Sequence, residues 1–124
     1  MAEIKNIAVK VTKSTTSGNT WQLTVQYDCV LTEKELRYDF DYKDSFEVWE
    51  DDPFNDDKLT GKVGVSFFDP STKVVKRTLT ANINGSTLNT EIGGEEIYVK
   101  VFLENTTLNI QYPPKRTGNL SLDP

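Results

Sequence analysis

The chain has 124 residues, of which 36% are hydrophobic and 27% charged, and its formal net charge is −5. This length and composition predict one globular domain and argue against a membrane-spanning or disordered chain. The negative charge argues against a nucleic-acid partner, and the absence of histidine removes the most frequent general base, so we expect a protein that is not an enzyme.

Alternating apolar and polar residues, which are typical of half-buried strands, fill most of the chain. In chain order, the alternation predicts strands at 7–11, 21–31, 36–42, 46–48, 63–67, 75–83, 97–103 and 108–112, with a return strand at Leu88. Strand 97–103 is apolar on both faces, so we expect it to lie centrally in its sheet. Residues 33–36 favour one turn of helix at most. The spacing predicts an all-β fold, an antiparallel β-sandwich of about eight or nine strands.

Turn residues mark two hairpins in the second half of the chain. Asn84-Gly85 is the strongest short hairpin signal, because a type I′ turn needs two residues with positive φ. The run 92–95 is a second hairpin candidate. After Pro113-Pro114 the strand pattern stops, so we predict a domain at 1–112 and a loose tail at 113–124.

Cys29 shares the phase of the apolar residues in strand 21–31, which indicates a small buried side chain rather than a reactive thiol. The N-terminal residues lack the apolar core of a signal peptide. We therefore expect a cytoplasmic protein, or one that is exported without a cleaved signal peptide.

The acidic residues are concentrated in one stretch of the chain. Residues 39–57 contain nine Asp and Glu but one Lys, a net charge of −8, whereas the remainder of the chain is at +3. The densest part lies between two predicted strands and carries Glu50, Asp51, Asp52, Asn55, Asp56 and Asp57. Ca²⁺ takes six to eight oxygen ligands from such side chains, so calcium is the cofactor that this loop could hold. Asp39, Asp41 or Asp44 would join the site if the fold brings them near; the alternative is a solvated loop.

Segment 48–61 reads Val-Trp-Glu-Asp-Asp-Pro-Phe-Asn-Asp-Asp-Lys-Leu-Thr-Gly. It resembles the calcium-loop segment of the calcium-dependent phospholipid-binding sandwich domains of protein kinase C and synaptotagmin, with the same spacing from Val to Gly. In that family an aromatic-ended strand leads into two paired aspartates, whose places Glu50 and Asp52 would take. The family's next acidic position falls on Lys58, with Asp57 one residue short. The resemblance implies a sandwich fold and a calcium-dependent ligand.

Two aromatic residues of the same region are candidate ligand contacts. Trp49 falls out of phase with Phe46 and Val48, and Phe54 lies within the acidic segment. They suggest an aromatic surface on which a sugar ring stacks, or an apolar loop that inserts into a lipid surface. We therefore expect a non-enzymatic binding module whose partner is an unknown protein, glycan or lipid. The alternatives are a carbohydrate-binding module and a structural or assembly protein without a metal, in which an edge strand pairs with a neighbour and the chain self-associates.

Overall fold

A computed structural model describes residues 1–13, 20–51, 56–84 and 95–122 of the chain. Within these ranges the chain forms ten strands and one short helix. The elements are β1 (Glu3–Lys13), β2 (Thr20–Val30), α1 (Glu33–Arg37), β3 (Tyr42–Glu50), β4 (Asp57–Lys58), β5 (Val63–Phe68), β6 (Val74–Asn84), β7 (Glu95–Asn105), β8 (Ile110–Gln111), β9 (Lys115–Arg116) and β10 (Leu120–Leu122). The described part of the chain contains no helix that could span a membrane.

The strands form two sheets in which every pairing is antiparallel. The first sheet has the order β1-β2-β6. The second sheet has seven strands, with β3 and β7 paired along its centre. The short strands β4 and β5 line the outer side of β3, and β8, β9 and β10 line the outer side of β7. The predicted all-β antiparallel sandwich and the central position of 97–103 are confirmed.

The two sheets share one apolar core, and alternation along the strands determines which side chains enter it. On β2 the inward side chains are Trp21, Leu23, Val25, Tyr27 and Cys29, all of which are buried. They pack against the inward residues of β3 and β7, among them Phe46, Val48, Val99 and Val101. The buried position predicted for Cys29 is confirmed.

The predicted strand at 36–42 is wrong, because this segment contains the end of α1 and a turn. Thr32 and Glu35 form a capping box that starts the helix: the Glu35 N–H donates to Thr32 Oγ1, and the Thr32 N–H donates to the Glu35 carboxylate. Asp39 then turns the chain with φ at +49°, and β3 begins at Tyr42. The single helical turn expected at 33–36 is confirmed.

The predicted loose tail is also wrong, because β9 and β10 pair with β7. Thr117 adds to this pairing: its N–H donates to the Val99 carbonyl at 2.9 Å, and its hydroxyl accepts from the Val99 N–H at 3.0 Å. Proline is tolerated here because the segment forms the edge of the sheet, where only the groups that face β7 need partners. The predicted turns at 84–85 and 92–95 and the strand at Leu88 lie wholly or in part outside the described residues.

Candidate functional site

The β3–β4 hairpin brings four acidic residues to one end of the sandwich. In the hairpin Trp49 lies opposite Lys58 and Glu50 lies opposite Asp57. Asp51 and Asp56 adjoin this pair in sequence. Asp52, Phe54 and Asn55, which complete the predicted site, lie outside the described residues.

Two of the four acids are held by donors from the neighbouring strand and the C-terminal segment. The Asp51 N–H donates to the Glu96 carbonyl at 2.9 Å, and the Asp51 carboxylate accepts from the Asn119 amide. The Asp56 carboxylate accepts from the Tyr98 hydroxyl at 2.8 Å. Burial of the phenol, together with this hydrogen bond, raises the pKa of Tyr98 to about 12, so that Tyr98 remains a donor at neutral pH.

The other two acids differ in their environment. Glu50 is buried at the end of β3, whereas Asp57 is exposed. Because residues directly opposite on antiparallel strands point to the same face, this hairpin places two carboxylates side by side. Lys58 neighbours the pair, but its ammonium group lies 4.0 Å from the carboxylate of Glu47.

Trp49 lies on the outer face of the seven-stranded sheet, in a cluster of aromatic and cationic side chains. Its ring stacks beside that of Tyr98, with centroids 6.2 Å apart, and its Nε1–H donates to Glu47 at 3.0 Å. The Lys100 ammonium lies 4.4 Å from the Trp49 ring centroid, and the Arg116 guanidinium lies 3.5 Å from that of Tyr98. Cations therefore already contact the aromatic surface that a sugar would need.

The fold does not bring Asp39, Asp41 and Asp44 to this site. Asp44 points into the core, where Arg77 holds it. Asp39 and Asp41 precede β3 and so lie at the other end of a nine-residue strand, about 26 Å from Glu50. There they face the exposed Asp69, and partial desolvation, followed by the charges of these two carboxylates, raises the pKa of Asp69 above its ordinary value.

Sequence reasoning missed three residues of β7 and the C-terminal segment that contact the acidic hairpin: Glu96, Tyr98 and Asn119. It also missed Arg116, which contacts Tyr98 and Asn119. The sequence pattern indicated Tyr98 only as an apolar residue on the second face of its strand. Arg116 and Asn119 carried no signal, since they fall in the segment that follows Pro113-Pro114. In the described ranges, no three Cys, Asp or Glu side chains converge in an arrangement that could hold a metal ion.

No known protein family model matches this chain, and no curated protein matches it. Among solved structures, the chain is similar to the "X-ray structure of Northeast Structural Genomics Consortium target SoR45". The similarity covers 94% of this chain and 86% of that chain, with 9% sequence identity and a TM-score of 0.39. A similarity at this level carries no argument about function.

Proposed function

We propose that this chain is a non-enzymatic β-sandwich binding module whose acidic segment at 50–57 binds Ca²⁺ weakly. The observation that carries the proposal is the direct opposition of Glu50 and Asp57 in the β3–β4 hairpin. Like charges in this position destabilise a sheet. Two unit charges 5 Å apart repel by about 0.8 kcal/mol even in water, and a bound cation converts that repulsion into attraction.

The proposed ligands come from segment 50–57: Glu50, Asp51, Asp52, Asn55, Asp56 and Asp57. Because no three acidic side chains of the described residues converge, the carboxylates of this segment would have to move together around the ion. Asn119 and Tyr98 each donate to one carboxylate oxygen, at Asp51 and Asp56. A carboxylate has two oxygens and about four acceptor positions, so each can still take a cation. Competition with these donors favours a dissociation constant near the upper end of the range for calcium modules, about 1 mM.

The calcium reading has better support than the carbohydrate reading. A sugar that stacked on Trp49 would have to displace Lys100, whose ammonium lies 4.4 Å from the ring centroid. The resemblance of segment 48–61 to calcium-dependent phospholipid-binding domains points the same way, and it makes a lipid headgroup a candidate ligand of the calcium-loaded module.

Calcium titration tests the proposal. With a dissociation constant of about 1 mM, 10 mM Ca²⁺ stabilises the fold by about 1.4 kcal/mol. That corresponds to a rise in Tm of about 3 to 6 °C, measured by thermal shift at constant ionic strength. In NMR spectra, the amides of 50–57 should shift with the same midpoint, and 10 mM Mg²⁺ should act more weakly.

Matched variants separate a bound ion from general screening. Asp57→Asn should abolish the calcium response while raising the Tm without calcium, because it removes the repulsion with Glu50. Asp69→Asn, which removes an acidic residue near the opposite end, should keep the response. If 10 mM Ca²⁺ leaves the Tm and these amides unchanged, or if the two variants respond alike, the calcium site does not exist.

A further inference from the structure

The end of the sandwich at which α1 joins β2 to β3 lies opposite the acidic hairpin; we name it the α1 end. β1 and β6 begin here, because their first residues pair with the last residue of β2. β5 and β7 end here, because their last residues pair with Tyr42, the first residue of β3. The connections 31–41, 69–73 and 106–109 at this end all lie within the described residues.

Apolar side chains are exposed at this end. The exposed aromatic and large aliphatic side chains of the described residues all lie in its connections, at the strand ends beside them or in the second half of β5. Phe67 is 68% exposed, Tyr38 57% and Leu108 51%. Single exposed apolar residues are normal on a protein surface, but a group at one end indicates a contact surface.

An open cavity of about 360 Å³ lies at the α1 end. Small-ligand sites have volumes of about 300 to 1,000 Å³. The cavity is lined by Asp41, Phe67, Phe68, Asp69 and Thr106. The Asp41 N–H donates to Thr107 Oγ1 at 2.9 Å, and its carbonyl accepts from the Thr106 N–H at 2.9 Å and from the Thr106 hydroxyl at 3.0 Å. These bonds use only the backbone of Asp41, so they shape the cavity independently of its carboxylate.

The charge beside this cavity is negative. Asp41 and Asp69 line it. Partial desolvation, followed by the effects of Asp39 and then of Asp41, raises the pKa of the exposed Asp69. The three carboxylates therefore repel one another, and a bound cation would relieve the repulsion. Lys43 lies outside the lining, with its ammonium 5.8 Å from the Phe67 ring centroid.

The lining combines carboxylates with aromatic rings, which are the two kinds of group that a guanidinium recognises. Arginine pairs with carboxylates through a planar set of N–H donors, and it stacks on aromatic rings. Arg77 does both in the core of this chain: it donates to Asp44 at 2.8 Å while its guanidinium lies 4.0 Å from the Phe68 ring centroid. The exposed Phe67 ring beside the acids thus favours an organic cation over a metal ion.

We propose that the cavity at the α1 end binds an arginine side chain of a partner protein, with the guanidinium between Asp41 and Asp69 and against the Phe67 ring. Apolar neighbours of that arginine cover the exposed side chains beside the cavity, such as Leu108. The net charge of −5 on the chain attracts a basic partner to this surface. The site is independent of the proposed calcium site, which lies at the other end of the sandwich.

The test uses the blocked tripeptide acetyl-Leu-Arg-Leu-amide and the same peptide with citrulline, which keeps the shape of arginine without its charge. NMR titration of the whole chain in EDTA excludes any contribution from calcium. The arginine peptide should shift the amides of Asp41, Phe67 and Thr106, and it should lower the pKa of Asp69. The citrulline peptide should bind about tenfold more weakly, because its hydrogen bonds to the carboxylates are not charge-assisted.

Substitutions distinguish this cavity from the overall charge of the chain. Asp41→Asn and Asp69→Asn should each weaken binding of the arginine peptide about two- to fivefold, since one carboxylate remains. Phe67→Ala should weaken binding of both peptides, because both lose the ring. Glu3→Gln is the matched control: it removes one negative charge from the first residue of β1, also at the α1 end, but Glu3 does not line the cavity. It should leave binding unchanged.

Three results would overturn the proposal. The first is the absence of amide shifts at 10 mM arginine peptide, and the second is equal binding of the two peptides or an equal loss in Asp41→Asn and Glu3→Gln. The third is a shift of the same amides that grows with protein concentration when no peptide is present, because this end would then bind a second copy of the chain. Circular dichroism checks that each variant is folded.

Discussion

Asp44 and Arg77 form a buried ion pair that joins the two sheets, and replacing either residue should destabilise the fold strongly. Arg77 on β6 donates to Asp44 on β3 through Nε at 2.8 Å and Nη2 at 3.1 Å. The Asp44 side chain is 0% exposed and that of Arg77 is 16% exposed. Tyr27 donates to the same carboxylate at 2.7 Å, and its pKa is raised by burial and by Asp44, so its hydroxyl stays protonated.

The change with the clearest outcome is Asp44→Asn, which keeps the shape of the side chain but removes its charge. Arg77 then keeps its charge in the core, with Ser66 as a neutral acceptor and the Phe68 ring 4.0 Å from its guanidinium. Breaking a buried pair in this way costs about 3 to 5 kcal/mol, because the remaining charge is uncompensated. For a chain of this length, the loss lowers the Tm by about 10 to 20 °C.

Urea unfolding monitored by circular dichroism measures the loss in the free energy of unfolding. The comparison is a triple variant, Tyr27→Phe with Asp44→Leu and Arg77→Met, which removes both charges and the hydroxyl together. It should be more stable than Asp44→Asn, because no buried polar group remains unpaired. A loss below about 1 kcal/mol for Asp44→Asn would refute the reasoning, since values this small are typical of solvated pairs. So would a triple variant that is less stable than the single one.

Two further predictions concern the thiol and pH. Burial, followed by the charge of Asp44, raises the pKa of Cys29 to about 12. A thiol reagent at pH 8 should therefore label Cys29 only after the chain unfolds. Stoichiometric labelling of the native chain would contradict this prediction. The pKa of Asp69 is raised in the folded state, so the free energy of unfolding is highest below the ordinary pKa of this side chain and falls as pH rises and the side chain ionises. Asp69→Asn should therefore raise the Tm at pH 7 but not at pH 3. The pKa of Asp28 is lowered by a hydrogen bond from Asn6, so Asp28→Asn should do the opposite and lower the Tm at pH 7 only. Calorimetry measures the Tm of both variants at pH 3 and pH 7. A change in Tm that is equal at the two pH values would contradict these predictions.

The sequence predicted those parts of the fold that depend on alternation and burial. Tyr98 and Phe102 on the second face of 97–103 indicated a central strand, and β7 is central. The same rule failed at 36–42, where Leu36 and Phe40 pack against the core from a helical turn and the chain after it, and so mimic a strand. It failed again after Pro113-Pro114, because an edge segment with few pairing residues has no periodic pattern to detect.

The candidate site was harder to predict, because a run of charges in sequence is not a patch of charge in space. Successive residues of a strand point to opposite faces, and nine residues span the length of the domain. Asp44 therefore enters the core, Glu47 lies opposite Lys100 on the outer face, and Asp39 and Asp41 lie at the far end. The net charge of −8 between 39 and 57 is thus divided among several environments, each with its own partners.

This division sharpens the argument for the β3–β4 hairpin. Asp44 and Glu47 are satisfied by Arg77, Lys58 and the Trp49 indole, and they contribute to folding. Glu50 and Asp57 are set side by side by the register of the hairpin. Like charges in this position repel each other, and a cation bound there would relieve the repulsion. The proposed cause of calcium binding is the opposition of these two carboxylates and not the charge of the whole segment. Asp57→Asn should therefore change the calcium response more than any substitution at Asp39, Asp41 or Asp44.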